Sequence, residues 1–104
     1  MWKYCIEIEY CFVRDYSDCY WLYKGFVDYV EQRYFRTKAE ANKGMTEAVR
    51  EYRKWMTARK DKIGYCHHKV IVERHDDRKY VNVFLYDRFD RFNDEQIMIK
   101  FITL

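Results

Sequence analysis

Cys66, His67, His68 and His75 are the residues whose types and spacing come closest to a metal site. Thiolate and imidazole are ligands that zinc takes, four for a structural site and three plus an open position for a catalytic one. Residues Tyr65 to Arg74 read as a strand, however, and adjacent strand residues face opposite sides, so Cys66 and His68 can share a metal while His67 cannot. Two ligands do not complete a coordination shell. Cys5, Cys11 and Cys19 lack the paired close spacing of zinc sites, so no metal is expected.

Asp76, Asp77, Asp87, Asp90, Asp94 and Glu95, with Lys100 beside them, hold the oxygen ligands a divalent cation would need for phosphodiester cleavage. They alternate with Arg74, Arg78, Arg88 and Arg91, the way a solvated loop balances its charge. A metal-dependent nuclease is the least remote enzyme on this reading. Nothing marks a nucleophile with its base or an oxyanion donor. The chain has no phosphate-binding glycine loop, dinucleotide fingerprint or serine elbow, so no catalytic residue and no cofactor is expected.

The remaining chemistry is that of binding. Thr37 to Lys62 carries eight Lys or Arg against four Asp or Glu, which accounts for the chain's net charge of +3 because the flanking segments nearly cancel. Lys43, Arg50 and Lys54, flanked by Arg53, fall on one helical face and could track phosphates. Glu47 and Glu51 interrupt the row, and such surfaces are usually purer and belong to more basic domains. Aromatics make up 20% of the residues, with eleven tyrosines. Tyr, Trp, Phe and Arg are enriched in protein interfaces, and the aromatics exceed what one core of this size requires. Tyr16, Tyr20 and Trp21, with Arg88, Phe89, Arg91 and Phe92 of the tandem Asp-Arg-Phe-Asp-Arg-Phe, are the candidates for such an interface.

The elements that must position these residues are legible in part. Trp2 to Val13 alternates, with Trp2, Tyr4, Ile6, Ile8, Tyr10 and Phe12 on one side, and reads as a strand with one buried face. Ser17 to Phe35 carries a stripe that also fits a helix, but its aromatic and β-branched residues, the Lys24-Gly25 turn and the cost of Gly25 inside a helix favour strands. Thr37-Lys38-Ala39-Glu40 is a capping box. From it a helix over about 38–63 sets Ala41, Met45, Ala48, Val49, Tyr52, Trp55, Met56 and Ile63 along one apolar stripe, with Gly64 as its C-cap. Tyr65 to Arg74 and Lys79 to Asp87 read as a hairpin around His75-Asp76-Asp77-Arg78, and Ile97, Ile99 and Phe101 mark a last strand.

The expected architecture is one α+β domain over 1–104, an antiparallel sheet of about five strands with one long helix packed across one face. No apolar run is long enough to span a bilayer, and the N-terminus lacks the pattern of a signal peptide, so a cytoplasmic location with reduced cysteines is expected. Two open sheet edges allow pairing of two copies into a homodimer. The leading functional expectation is a small non-enzymatic binding protein that occupies a surface on a larger partner protein. Phage and mobile-element inhibitors of host machinery, defence systems included, are often of this kind, though no motif carries that assignment. The alternative is a nucleic-acid-binding module using Lys43, Arg50, Arg53 and Lys54 with exposed tyrosines for stacking.

Overall fold

The computed structural model describes residues 1–12, 26–62, 68–76, 79–87 and 95–104, with side chains at all of these but 11–12, 26–30, 62, 68, 86–87 and 95. Five strands and one helix follow one another as β1 (Tyr4–Phe12), β2 (Phe26–Phe35), α1 (Lys38–Lys62), β3 (His68–His75), β4 (Tyr80–Asp87) and β5 (Glu95–Thr103). The strands form one sheet in the order β2-β1-β5-β4-β3, antiparallel throughout. α1 lies against one face, so the fold is α+β as expected.

β1 is the alternating segment. Ile6 and Ile8 point under the helix and are fully buried, and their register partners across β5 are Phe101 and Ile99. Val81, Val83 and Leu85 from β4 and Ile97 from β5 complete the sheet side of the core, while Met45, Ala48, Val49 and Met56 supply the helix side. Val70 and Val72 pack at its margin from the edge strand β3, so both strands of that hairpin turn their apolar residues to the same core. β2 pairs with β1 from Phe35 opposite Tyr4. Between Tyr10 and Cys11 the register slips, because Tyr10 pairs with Tyr29 and Cys11 with Val27, a bulge that leaves Asp28 out of the pairing.

The helix starts where the capping residue stands. Thr37 Oγ1 accepts the Glu40 N–H at 3.2 Å, and Thr37 O accepts the Ala41 N–H at 3.0 Å, the first helical bond. With 25 residues, α1 is about 37 Å long. Gly44 sits inside it because Phe35 leaves no room for a side chain: a Cβ there would lie 2.3 Å from the Phe35 ring. At the β3–β4 turn Asp76 has φ of 49° and accepts the Lys79 N–H at 3.0 Å. Asp is among the few non-glycine residues that tolerate that conformation.

Two sequence expectations need correction. Trp2 does not belong to the buried face of β1, since it precedes the strand and is 51% exposed. Trp55 closes the apolar stripe only in part and is 40% exposed, because it lies at the stripe's edge. The strand reading of Ser17 to Phe35 holds for 26–35, which is β2 and not helix. Residues 17–25, the Lys24-Gly25 turn, Ile63 and Gly64 lie outside the described residues.

Candidate functional site

Tyr16, Tyr20, Trp21, Arg88, Phe89, Arg91 and Phe92 lie outside the described residues, as do Cys66, His67, Asp77, Asp90 and Asp94. Among the described residues, no group of three or more His, Cys, Asp or Glu side chains is gathered as a metal would require. His75 binds Glu73 instead, Nε2 to Oε1 at 2.7 Å, and its ring lies tilted by 47° against Tyr80, 5.6 Å between centroids, on the sheet face turned away from α1. Lys100 on the same face reaches Glu9 at 3.5 Å. Cys5 on that face is buried, and burial pushes its thiol pKa up, with the nearby Glu7 carboxylate adding to the effect. The group is therefore a poor nucleophile.

The two flanks of α1 differ in chemistry. At 100° per residue, Glu51 and Trp55 stand about 120° and 80° from Met45 on one side, and Arg53 and Arg50 about 80° and 140° from it on the other. The first flank faces β2. There Arg33 Nε donates to Glu31 Oε1 at 2.6 Å, Arg33 Nη2 to Glu51 Oε2 at 2.9 Å, and Tyr52 OH to Glu31 Oε2 at 2.6 Å. Arg33 and Glu31 stand on the helix side of β2 because they pair with the inward-facing Ile6 and Ile8. The Arg33 hydrogen bond holds the Glu31 carboxyl below its usual range, a bond from Tyr52 helping, while partial burial opposes. Burial first, then the bond to Glu31, pushes the Tyr52 hydroxyl well above its usual value. Both Glu31 oxygens are occupied, so the cluster fastens α1 to the edge strand and offers no free base. Beside it Tyr10, Tyr52, Trp55 and Ile97 line a hollow of about 270 Å³ with Glu51 at its side. The Trp55 ring meets Tyr10 edge-on at 5.6 Å and carries Arg59 above it at 5.5 Å.

The second flank faces β3 and β4. Met45, Thr46, Val49, Arg50 and Arg53 of α1, with Arg74 of β3 and Val81 of β4, line a groove of about 460 Å³. Arg50 and Arg53 continue into a shallower depression with Lys54, Thr57, Ala58 and Asp61. Lys43, Arg50, Arg53 and Lys54 are all exposed, and no ion pair joins any of them, or Arg74, to a carboxylate among the described residues. Of the two glutamates that interrupt the row, Glu51 is turned to Arg33 on the opposite flank. Arg50 and Arg53 are thus brought together with Arg74, a residue not singled out for binding by its sequence, and less with Lys43.

A third surface lies at the end of the sheet where β1 begins. Trp2, 51% exposed, meets Tyr34, 43% exposed, at 6.3 Å between ring centroids, and Arg36 sits 5.1 Å over the Trp2 ring. The segment is tied on both sides, since Lys3 N–H donates to Phe35 O at 3.0 Å and Leu104 N–H to Lys3 O at 2.9 Å. The exposed Leu104 and half-buried Ile102 lie nearby, Ile102 facing Cys5 in register as Tyr34 does. Sequence periodicity assigned Trp2 to the core and gave Tyr34 and Arg36 no role. The signal that could have found them is an aromatic just ahead of the first strand opposite an Arg at the end of the second.

No helix among the described residues is long and apolar enough to cross a membrane. Comparison with protein-family models, curated proteins and solved structures finds no match to this chain.

Proposed function

We propose that this chain is a small non-enzymatic binding protein that acts by occupying a surface on a larger partner protein. The observation that carries the reading is the exposed cluster of Trp2, Tyr34 and Arg36. Trp, Tyr and Arg are the residues in which binding energy concentrates, and a set already packed side chain on side chain, with backbone bonds at the neighbouring Lys3 and Phe35, loses little conformational freedom when a partner covers it. The mode of action would suit an inhibitor of host machinery carried by a phage or mobile element. Affinity capture with the wild-type chain and with a Trp2→Ala, Tyr34→Ala, Arg36→Ala variant tests the reading. A stoichiometric protein partner retained by the wild type and lost by the variant is expected. Recovery of nucleic acid alone would sink the idea.

A second reading, nucleic-acid binding through the outer side of α1, is favoured by the lack of ion pairs at Lys43, Arg50, Arg53 and Lys54 among the described residues. It requires affinity that falls steeply with salt and falls again on reversing the charges of Lys43, Arg50 and Lys54. Gel shifts at two salt concentrations decide between these outcomes.

A further inference from the structure

We infer that the groove between α1 and β3 binds a compact phosphoanion, the diphosphate or triphosphate group of a free nucleotide, through Arg50, Arg53 and Arg74. The three guanidinium-bearing residues come from two elements: Arg50 and Arg53 lie one turn apart on α1, and Arg74 stands across the groove on the edge strand. Arg74 is on the helix side of β3 because it pairs with the fully buried Val81. Guanidinium groups present paired donors that match phosphate oxygens two at a time, which lysine does not.

Gathering three positive charges with no carboxylate paired to them among the described residues costs free energy, and the nearby carboxylates do not relieve it: Asp61, in the adjoining depression, meets Lys60 at 3.9 Å. Glu47 stands one turn before Arg50 and makes no ion pair with it, while Glu73, next to Arg74, faces the other side of the sheet and holds His75. Like charges three or four residues apart on a helix are themselves destabilising. A bound anion would offset that repulsion.

Charge and size narrow the anion. A terminal phosphate carries about two negative charges at pH 7 and three acceptor oxygens. A diester carries one charge, so three arginines in one groove fit a diphosphate or triphosphate better than a strand's backbone. At about 460 Å³ the groove lies within the range of small-molecule clefts, about 300–1,000 Å³. Its floor of Met45, Val49 and Val81 is apolar and nearly buried, and it backs the arginines with a low-dielectric wall that strengthens their attraction for an anion.

Calorimetric titration of the full chain with inorganic pyrophosphate and with ADP tests the assignment. Both probes are expected to bind, with affinity at least about tenfold weaker in Arg50→Gln and in Arg74→Gln. A Lys69→Gln variant, which removes an exposed cation on the face of β3 turned away from α1, is expected to bind as the wild type does. Thermal melts check that each variant folds, and Arg53→Gln carries the test if Arg50→Gln does not. Absence of binding by either probe, equal binding by Arg74→Gln, or tighter binding of an oligothymidylate without a terminal phosphate would overturn the proposal. The partner-protein reading fails or stands separately, because its variants lie at Trp2, Tyr34 and Arg36.

Discussion

Replacing Gly44 with alanine sets two free-energy terms of opposite sign against each other. In an open helix interior the change stabilises by about 1 kcal/mol, because glycine loses more backbone freedom on folding. In this helix the added methyl would lie 2.3 Å from Phe35 Cζ and 2.9 Å from both Cε atoms. Carbon atoms rest at about 3.5–4.0 Å, so the ring tip has to retreat by more than about 1 Å. The Phe35 backbone cannot follow, being paired with Tyr4 and bonded through its carbonyl to Lys3. The ring must then leave its place against the core, or α1 must lift from β2, and overpacking of this kind costs about 1–3 kcal/mol. The net expectation is destabilisation by about 1 kcal/mol, a fall of about 4–8 °C in the melting midpoint for a domain of this size. Thermal and urea melts of a double-mutant cycle isolate the clash. In a Phe35→Ala background the same Gly44→Ala change should stabilise, giving a coupling energy of about 2 kcal/mol. A Gly44→Ala variant that melts higher than the wild type, or an equal effect in both backgrounds, would refute the reasoning.

Thr37→Ala removes the acceptor for the Glu40 N–H and should cost about 1 kcal/mol in urea unfolding without changing the denaturant slope. Met56→Ala empties a fully buried position between helix and sheet and should cost about 2–5 kcal/mol, enough to unfold much of the population if the domain is marginal. Glu31→Gln tests linkage: since the folded Glu31 pKa is lowered, its contribution is present above the usual carboxylate range and is lost as pH falls through the lowered value. The wild type should therefore lose more stability than Glu31→Gln between neutral pH and about pH 3, read from melts across that range. The raised Tyr52 pKa acts at the other limb, giving stability that is present below about pH 10 and is lost above it, and Tyr52→Phe should flatten that fall.

The fold was legible where local pattern and burial coincide. The alternation of Tyr4, Ile6 and Ile8 named β1, Thr37 with Glu40 marked the helix start to the residue, and the spacing of Met45, Ala48, Val49 and Met56 named its buried stripe. Trp2 shows where the pattern misleads, because parity continues past the last paired residue while the sheet does not. Strand order was not readable, since the pairing of β1 with β5 depends on residues far apart in the chain and leaves no local mark. The same limit hid the groove. Parity places Arg74 beside Val70 and Val72, but no local signal says which flank of α1 lies over it. Glu31 and Arg33 were missed for a related reason: a charged pair facing inward makes sense only once Tyr52 and Glu51 are known to meet it.

The central seam of the sheet joins β1 to β5, with Tyr4 opposite Thr103. Each half of the sheet, β1 with β2 and β3 with β4, pairs strands that follow one another in the chain, but among the described residues the two halves are hydrogen-bonded into one sheet only through β5, with α1 packed across both. During synthesis, β1 and β4 both present bare inner edges until the segment through Thr103 has left the ribosome. Folding of this sheet therefore has to be completed after translation of that segment, and stalled chains lacking β5 should be the species that chaperones hold and proteases cut.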